Sequence, residues 1–334
     1  MSSDHLNEFR ITVVIVTYAE RRFFIDVASS LAKQNWICDF VIVSNGSGAN
    51  LDFEPFGKPH HLVVIEQNSG AAAGFAAGIK FALTLENEFI WLLDDDNLPE
   101  PDALCVLLNF WNDKKLSLVA NKTSLMSFRT SQFAYKSITY KKELNLLPTP
   151  NSFLGFHYKR LPKMIVDRIN TRRRRYSRKI VEAESIVCNA GFYGGLFFSK
   201  KLMGTINLPD GDYFLYVDDL VFTSQIPRSG GKIYMLPKSI INDLDYSLPL
   251  TSKKKFLYHP ALDFESNFKA FYYARNVSYF TRKYAISNRI VYLFNKSLLR
   301  MILGVIARLR NKRGRLKVML SGIRAGERWY QSSS

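Results

Sequence analysis

The chain has 334 residues, of which 47% are hydrophobic, and a formal net charge of +17. This length suits one large α/β domain with an appendage, or two domains, and the composition is that of a globular protein. The three cysteines have no metal-ligand spacing, so a reducing cytoplasm is expected rather than secretion. The first residues do not resemble a signal peptide, and no uncharged stretch approaches the ~20 apolar residues that span a bilayer. We therefore expect a protein that is not integral to the membrane.

The excess positive charge is concentrated in two segments. Residues 158–179 contain ten lysines or arginines and one acid, and residues 289–330 contain eleven and one. Such patches attract polyanions such as nucleic acid, anionic lipid or phosphorylated substrates. Charge runs are also often simply solvated, so no function is assigned to the four consecutive arginines at 172–175.

Predicted strands and helices alternate over the first 112 residues. Apolar or β-branched runs predict buried strands, and periodic or small-residue segments predict helices, in the order 11–16, 21–34, 40–43, 62–65, 71–85 and 89–94. This alternation predicts a mostly parallel sheet joined by right-handed crossovers. Farther along the chain we predict a late strand at 233–241 and helices after residue 264.

The most informative segment is residues 89–97, where an apolar run ends at Asp94, Asp95 and Asp96. A buried strand here would place the acids at the carboxyl edge of a sheet, where α/β folds bind ligands. Adjacent carboxylates repel one another unless a cation or hydrogen-bond donors compensate. Hard oxygen ligands suit Mg²⁺ or Mn²⁺ bound together with substrate phosphates. The segment therefore predicts a metal-diphosphate site, and the alternative is a solvated, helix-capping acidic turn.

A segment of small residues, 68–78, follows the third predicted strand and opens a helix. Small residues let a ligand approach the backbone, and a helix N-terminus favours phosphate. The same residues also serve tight packing of a helix on a sheet. Both interpretations stay open at this point.

Two later acidic groups are also candidates. Asp218 and Asp219 follow an aromatic run, and adjacent carboxylates near apolar rings should have separated pKa values, as a general base requires. The alternative is an ordinary helix N-cap. Asn242 and Asp243 end the late strand, where either a third metal ligand or a solvated turn is expected.

The segment 298–309 predicts an amphipathic helix. One continuous apolar face is formed by Leu298, Leu299, Met301, Ile302, Val305, Ile306 and Leu309, and Arg300 and Arg308 lie mostly opposite. A basic amphipathic helix favours an anionic membrane interface. The alternative is a core-facing helix with a solvated basic side.

Together, these elements resemble the inverting family 2 glycosyltransferases with the GT-A fold. The resemblance rests on six segments, which are 13–18 (opening strand), 44–47 (Asp-Asn-Gly-Ser turn), 94–96 (DXD motif), 216–219 (catalytic-base segment), 271–276 and 322–326 (C-terminal patterns). The 68–78 helix opening combined with three consecutive aspartates is most similar to galactofuranosyltransferases, and rhamnosyltransferases are close relatives.

The resemblance implies a GT-A catalytic domain over residues 1–260 and a basic, helical, membrane-associating region over 261–334. It implies roles for individual residues: Asp219 as catalytic base; Thr17, Asn45, Asn68, Gly70, Gly74, Phe75, Asp94 and Asp95 in donor binding; Asp94, Asp96 and Asp243 as ligands of Mn²⁺ or Mg²⁺; Tyr216, Asp218, Gly194 and Gly195 on the acceptor side.

The expected reaction is transfer of a sugar, with UDP-galactofuranose favoured as donor, to a lipid-linked glycan acceptor in surface polysaccharide synthesis. The enzyme would act at the inner face of the cell membrane, and no nucleic-acid partner is expected. The alternatives are transfer from dTDP-rhamnose, a basic polyanion-binding protein, and a catalytically inactive scaffold.

Three positions depart from the family pattern. Ser44 replaces the aspartate that contacts uracil, and Val221 replaces a glutamate after the base segment. Asp243 or Asn242 aligns with a histidine that usually closes the metal site.

Overall fold

The computed structural model describes residues 9–18, 23–46, 57–130, 143–161, 183–245, 260–264 and 266–332. The described residues form two compact units. The first draws on Met1–Leu146, Lys179–Phe214 and Asp218–Leu250, and the second on Leu147–Arg178, Leu215–Val217 and Thr251–Ser334. Parts of three sequence predictions lie outside the described residues: the start of the 21–34 helix, the end of the turn after residue 46, and most of the basic insertion at 158–179.

Within the described residues of the first unit, ten strands form one sheet in the order β3-β2-β1-β4-β9-β6-β10-β8-β7, with β5 paired to β10. The strands are β1 (Ile11–Thr17), β2 (Ile37–Asn45), β3 (His60–Ile65), β4 (Phe89–Asp94), β5 (Asn97–Pro99), β6 (Thr123–Arg129), β7 (Glu143–Leu144), β8 (Ile186–Cys188), β9 (Leu196–Ser199) and β10 (Lys232–Asp243). The first four predicted strands pair in parallel, as expected. β9 runs antiparallel to both β4 and β6.

Helices cover both faces of this sheet. They are α1 (Phe24–Ala32), α2 (Gly70–Ala82), α3 (Ala103–Asp113) and α4 (Asp218–Arg228). Val13 and Ile15 of β1 pack with α1 and α3 in one core, whereas Val14 packs with α2 and α4 in the other. This alternation follows from the period of two in a strand buried on both faces. The prediction of a mixed α/β fold with a mostly parallel sheet and C-terminal helices is confirmed.

The second unit is helical. Its helices are α5 (Pro260–Asp263), α6 (Asn267–Tyr284), α7 (Arg289–Leu309) and α8 (Arg313–Ser332). An added Cβ on Gly322 would lie 2.4 Å from the carbonyl oxygen of Phe271, and one on Gly326 would lie 2.1 Å from that of Arg275. The two C-terminal sequence patterns are therefore the two sides of one helix–helix interface, at which glycines let α8 approach the backbone of α6.

A strained tripeptide of the second unit is held by α6. Tyr216 and Val217 have φ values of +67° and +71°, which is a rare conformation for any side chain and an outlier for a β-branched one. Asn276 is fully buried and donates its amide to the carbonyls of Leu215 (2.6 Å) and Tyr216 (3.0 Å). Tyr216, expected on the acceptor side, thus belongs to the second unit, where its ring contacts Phe264 at 5.4 Å.

Helix α7 has two apolar faces rather than the single face predicted from the sequence. The inward face packs in the core of the second unit and comprises Tyr292, Asn295, Leu299, Leu303, Ile306 and Ala307. The outward face carries the exposed side chains of Ile290, Leu293, Phe294, Met301, Val305 and Leu309. Leu299 and Ile306 were thus wrongly grouped with Met301 and Val305.

No uncharged stretch of about 20 apolar residues was found in the sequence, but one helix that contains basic residues is long and apolar enough to cross a membrane. Among the described residues, Arg289–Leu309 meets that length and composition, with a mean hydropathy of 1.6. One third of its apolar window is buried inside the unit. Length and composition alone do not separate a spanning helix from a core helix.

The glycine interface generates a stability prediction. We expect Gly326→Ala to lower the free energy of unfolding by about 1–3 kcal/mol, because the new methyl group must displace the Arg275 backbone. Gly304→Ala in α7 is the matched control, since nothing lies within 4 Å of its Cβ position. The free energy of unfolding of this control should rise by up to about 1 kcal/mol, because alanine has a higher helix propensity than glycine. Urea denaturation of both variants checks this, and an unchanged or increased stability of Gly326→Ala would contradict the proposed contact.

Candidate active site

Acidic side chains from two strand ends meet at the carboxyl edge of the sheet. Asp94 ends β4, and the short strand β5 that follows it pairs antiparallel with β10, so that Asn97 lies opposite Asp243. Asn97 and Asp243 are 146 positions apart in sequence. Strand pairing thus brings Asp243 close to the three consecutive aspartates that precede Asn97. The predicted convergence of these strand ends is what the structure shows.

A buried arginine lies between these carboxylates. Arg129 ends β6, and its guanidinium donates to Asp243 Oδ1 (2.7 Å from Nε) and to Asp94 Oδ2 (3.1 Å from Nη1). Arg129 is 8% exposed and Asp243 is 2% exposed. Burial opposes the charged form of Arg129, but the carboxylates of Asp94 and Asp243 outweigh it and raise the arginine pKa. Arg129 therefore supplies the internal countercharge of the acidic cluster.

Asn97 fixes the turn that carries the acids. Its buried side chain accepts the backbone N–H of Asp94 (3.0 Å) and donates to Asp96 Oδ1 (3.0 Å) and Asp243 Oδ1 (2.9 Å). One amide thus binds the backbone and two carboxylates of the site. Neither Asn97 nor Arg129 was identified from the sequence.

The consecutive aspartates have raised pKa values. Burial is the largest cause for all three, and it raises the pKa of Asp95 to about 6 and that of Asp96 to about 7. The neighbouring Asp94 adds to both shifts, whereas the hydroxyl of Thr17 lowers the pKa of Asp95. The pKa of Asp94 is itself raised by burial, although Arg129 opposes this shift. The cluster thus favours protons or another cation at neutral pH.

The metal ligands predicted from the sequence do not all remain available. Asp243 is bound by Arg129 and Asn97, and the described part of the chain contains no group of three acidic, histidine or cysteine side chains arranged to hold a metal ion. Asp94 and Asp96 remain as hard oxygen donors. Because Mg²⁺ commonly binds one or two carboxylates together with substrate phosphates, these residues fit a phosphate-bridged divalent ion rather than an all-protein cage.

The second acidic pair begins helix α4. Asp219 Oδ1 accepts the backbone N–H of Leu220 (2.7 Å), while Asp218 Oδ2 is buried without a hydrogen-bond partner among the described residues. Burial raises the pKa of Asp218 to about 6. Burial and then the charge of Asp218 raise the pKa of Asp219, which also senses Asp94 and Arg129. The pair therefore belongs to the same electrostatic cluster, and its position is also that of a helix cap.

Tyr193 is a further polar group of this cluster that sequence reasoning missed. Its ring is 5% exposed and stacks on Phe75 at 4.3 Å, and its hydroxyl has no hydrogen-bond partner within the described chain. Burial, followed by the charges of Asp218, Asp219 and Asp94, raises its pKa well above the ordinary value. The neutral phenol is therefore a hydrogen-bond donor poised among carboxylates.

The start of α2 is organised by two asparagines. Asn45, at the end of β2, donates to the carbonyl of Gly70 (2.9 Å) and accepts the N–H of Ser69 (3.0 Å). Asn68 accepts the N–H of Gly70 (2.9 Å), which has a φ of +84°. A Cβ on Gly70 would lie 2.1 Å from the carbonyl of Phe214. The amide of Asn45, predicted to bind the donor, is thus engaged by the protein itself.

Gly74 and Phe75, predicted to shape the donor pocket, pack between α2 and the sheet. A Cβ on Gly74 would lie 2.6 Å from Val16 Cγ1, and one on Gly78 would lie 2.4 Å from Val14 Cγ1. Phe75 is fully buried in the core between α2 and the sheet. The second interpretation of the 68–78 segment, close packing of a helix on a sheet, is the one that the structure supports for these residues.

Gly194 and Gly195, expected on the acceptor side, lie against the site and the sheet. An added Cβ on Gly194 would lie 2.1 Å from Asn97 Oδ1 and 2.8 Å from Asp94 Oδ2. Gly195 has a φ of +92° and its N–H binds the carbonyl of Leu92 at 2.8 Å. The close backbone approach predicted for this segment exists, and the groups that approach Gly194 belong to the acidic cluster itself.

The buried ion pair generates a prediction about stability. We expect Arg129→Gln to cost about 3–5 kcal/mol of unfolding free energy, because Asp243 would lose its buried countercharge. The double variant Arg129→Gln, Asp243→Asn removes both charges and should be markedly more stable than Arg129→Gln alone. Urea denaturation of the wild type, both single variants and the double variant measures the coupling, and purely additive effects would contradict a direct pair.

Comparison with known proteins identifies the family. Residues 12–181, just over half of the chain, match the family model described as "Glycosyl transferase family 2". The matched region contains the acidic cluster of β4 and Arg129 and ends before Asp219. No curated protein sequence matches the chain.

Three solved structures illustrate the structural likeness. GalNAc-T7 with UDP, GalNAc and Mn²⁺ is 12% identical with a TM-score of 0.48, over 70% of this chain and 44% of that one. S. aureus TarS is 14% identical with a TM-score of 0.45, over 88% of this chain and 43% of that one. TarS 1–349 is 12% identical with a TM-score of 0.47, over 97% and 92% of the two chains. The chain thus spans less than half the length of the first two proteins.

The family match covers all but the first residue of β1, the strands β2 to β7, and Asp94, Asp95, Asp96 and Arg129 of the acidic edge, and it agrees with the mixed α/β sheet that carries them. The chain therefore belongs to glycosyl transferase family 2.

Proposed function

We propose that this protein is a metal-dependent, inverting glycosyltransferase, and that it transfers a sugar from a nucleotide diphosphate donor to a glycan acceptor. The observation that carries the proposal is the acidic edge of the sheet, where Arg129 and Asn97 hold the side chains of Asp94, Asp96 and Asp243 together and where Asp94 and Arg129 influence the pKa of Asp219. UDP-galactofuranose is the favoured donor and a lipid-linked glycan is the favoured acceptor, both from motif similarity.

Donor binding is assigned to the carboxyl edge of the sheet. Asp94 and Asp96 would hold a divalent ion, which when bound supplies positive charge to the diphosphate leaving group. Asn97 and Arg129 keep both carboxylates in place before the donor arrives. Thr17 is 1% exposed and lies beside Asp95, which is consistent with a role for these two residues near the ribose or sugar.

Acceptor activation is assigned to Asp219. Its raised pKa makes it a stronger base than an exposed aspartate, which suits removal of a proton from an acceptor hydroxyl. The hydroxyl oxygen then attacks the anomeric carbon from the face opposite the diphosphate. One such displacement inverts the anomeric configuration.

The donor sugar is assigned from motif similarity. The 68–78 segment carried the similarity to galactofuranosyltransferases, but Gly74 and Phe75 of that segment lie in the core. dTDP-rhamnose therefore stays the alternative donor. A panel of nucleotide sugars, assayed for turnover with and without Mn²⁺, separates the two and would also reveal an inactive scaffold.

The assigned base predicts the effect of one substitution. We expect Asp219→Asn to lower sugar transfer by about 10²–10⁴-fold, because an amide cannot accept the acceptor proton. Binding of UDP in the presence of Mn²⁺ should change little. Transfer assays and calorimetry measure the two effects, with Asp102→Asn, an exposed aspartate before α3, as the matched control. Full turnover by Asp219→Asn would exclude this residue as the base.

The raised pKa of Asp96 predicts how metal binding varies with pH. Because the pKa of Asp96 is about 7, a proton competes with the ion below neutrality, so Mn²⁺ affinity should fall by about fivefold from pH 7 to pH 6. Asp96→Asn should bind Mn²⁺ more weakly at both pH values and lose most of this dependence. Electron paramagnetic resonance of free Mn²⁺, without nucleotide, measures both. A pH-independent affinity of the wild type would contradict the assignment.

A further inference from the structure

The outward face of α7 is an exposed apolar surface. Ten residues of this helix are exposed: six are apolar, three are arginines, one is a serine and none is acidic. The apolar side chains are substantially uncovered, with Ile290 at 80%, Met301 at 63% and Leu309 at 69% exposure. Contiguous exposed apolar surface of this kind marks an interaction site on a folded protein. The surface formed by Ile290, Leu293, Phe294, Met301, Val305 and Leu309 is called the α7 outer face below.

Exposed cationic side chains lie on α7 and on the next helix, α8. Arg289, Arg300 and Arg308 are exposed on α7 itself, and α8 exposes Arg313, Lys317, Arg324 and Arg328. The four α8 residues are spaced by four, seven and four positions, which places them on one side of that helix. Glu327, the only acid of both helices, is bound to Lys296. The exposed surface of the two helices thus carries seven cations and no anion.

The contacts of the inward face favour an α7 that stays packed on the protein over one that crosses a bilayer. Asn295 is fully buried, donates to the carbonyl of Asn151 (2.9 Å) and accepts the N–H of Tyr158 (2.8 Å). Tyr292, Leu299 and Leu303 fill the core of the second unit. A spanning helix would abandon these contacts, whereas a helix lying in the plane of the membrane keeps them.

We infer that the α7 outer face binds the surface of a bilayer that contains anionic lipids, with α7 lying in the interfacial plane. The apolar side chains enter the boundary between headgroups and acyl chains, and the arginines bind lipid phosphates, as amphipathic basic helices do. Charge complementarity selects this occupant, because a second copy of the chain would bring like charges together. This inference does not depend on the proposed sugar transfer.

The experiment measures sedimentation of the full-length protein with lipid vesicles. Neutral vesicles contain phosphatidylcholine only, and anionic vesicles also contain phosphatidylglycerol, at about one anionic lipid in three. Two variants separate the two contributions. In the apolar variant, Phe294, Met301 and Val305 are each changed to Ser. In the basic variant, Arg300, Arg308 and Lys317 are each changed to Gln. The control changes three exposed apolar residues of the first unit, Val64, Leu118 and Val119, to Ser.

We expect the wild type and the control to bind anionic vesicles at least about tenfold more tightly than neutral ones. The apolar variant should lose at least about tenfold in affinity for anionic vesicles, and the basic variant should lose the preference for anionic lipid. Equal binding of the wild type and the apolar variant would overturn the inference. A second result would also overturn it. In that result, analytical ultracentrifugation shows that the wild type is a dimer and that the apolar variant is a monomer, while the two proteins bind vesicles equally.

Point substitutions are needed because truncation does not isolate this surface. Deleting residues 289–334 would remove α7 and α8, and with them Tyr292, Leu299, Leu303, Met319 and Ile323 from the core of the second unit. Loss of binding after that deletion would then report unfolding as readily as a lost surface. The substituted side chains are exposed, so thermal unfolding of the apolar variant should match that of the wild type.

Discussion

The candidate site depends on the pairing of one buried guanidinium with carboxylates from different strands. Arg129 joins Asp94 of β4 to Asp243 of β10, and without it the acids at this edge would be buried next to one another with no countercharge. A buried charge of this kind is stable only when it is paired and hydrogen-bonded. The pairing leaves Asp96 and part of the charge of Asp94 uncompensated, so the edge retains a net attraction for a further cation.

Rigidity of the site follows from the same group of contacts. The amide of Asn97 is bound to backbone and to two carboxylates, and Gly194 leaves just enough room for the side chains around it. Groups that are held in position before a ligand binds do not need to reorganise when charge develops on that ligand. The acidic edge is therefore arranged by the fold and not by the substrate.

The sequence was sufficient to predict the strands and the meeting of their acidic ends, because apolar runs followed by carboxylates are local signals. It was not sufficient to identify Arg129 or Asn97, because their partners are distant in sequence. Arg129 and Asp243, for example, are 114 residues apart. Many arginines are present, and only the pairing of β6 with β10 distinguishes this one. Tyr193 was missed for a related reason, since an aromatic residue beside glycines is equally typical of a core.

In two other segments, one sequence pattern serves two physical purposes. Glycine and alanine at the start of α2 suit a phosphate or a neighbouring strand equally well, and Val14 and Val16 are the groups that contact Gly78 and Gly74. In α7, apolar residues cover so much of the helix that periodicity alone merged an inward and an outward face. Burial separates them, and burial depends on the tertiary contacts of residues such as Tyr292.

The loop that Asn45 organises also bears on how the protein ages. Asparagine followed by glycine is the dipeptide most prone to deamidation, which requires the glycine nitrogen to attack the asparagine side-chain carbonyl. Here the N–H of Gly46 donates to the carbonyl of Ile65 at 2.7 Å, and the Asn45 amide is held by Ser69 and Gly70. Both reacting groups are thus immobilised, so conversion of Asn45 to aspartate or isoaspartate requires this edge of the sheet to open. Accumulation of that product would record, molecule by molecule, how often β2 and β3 separate.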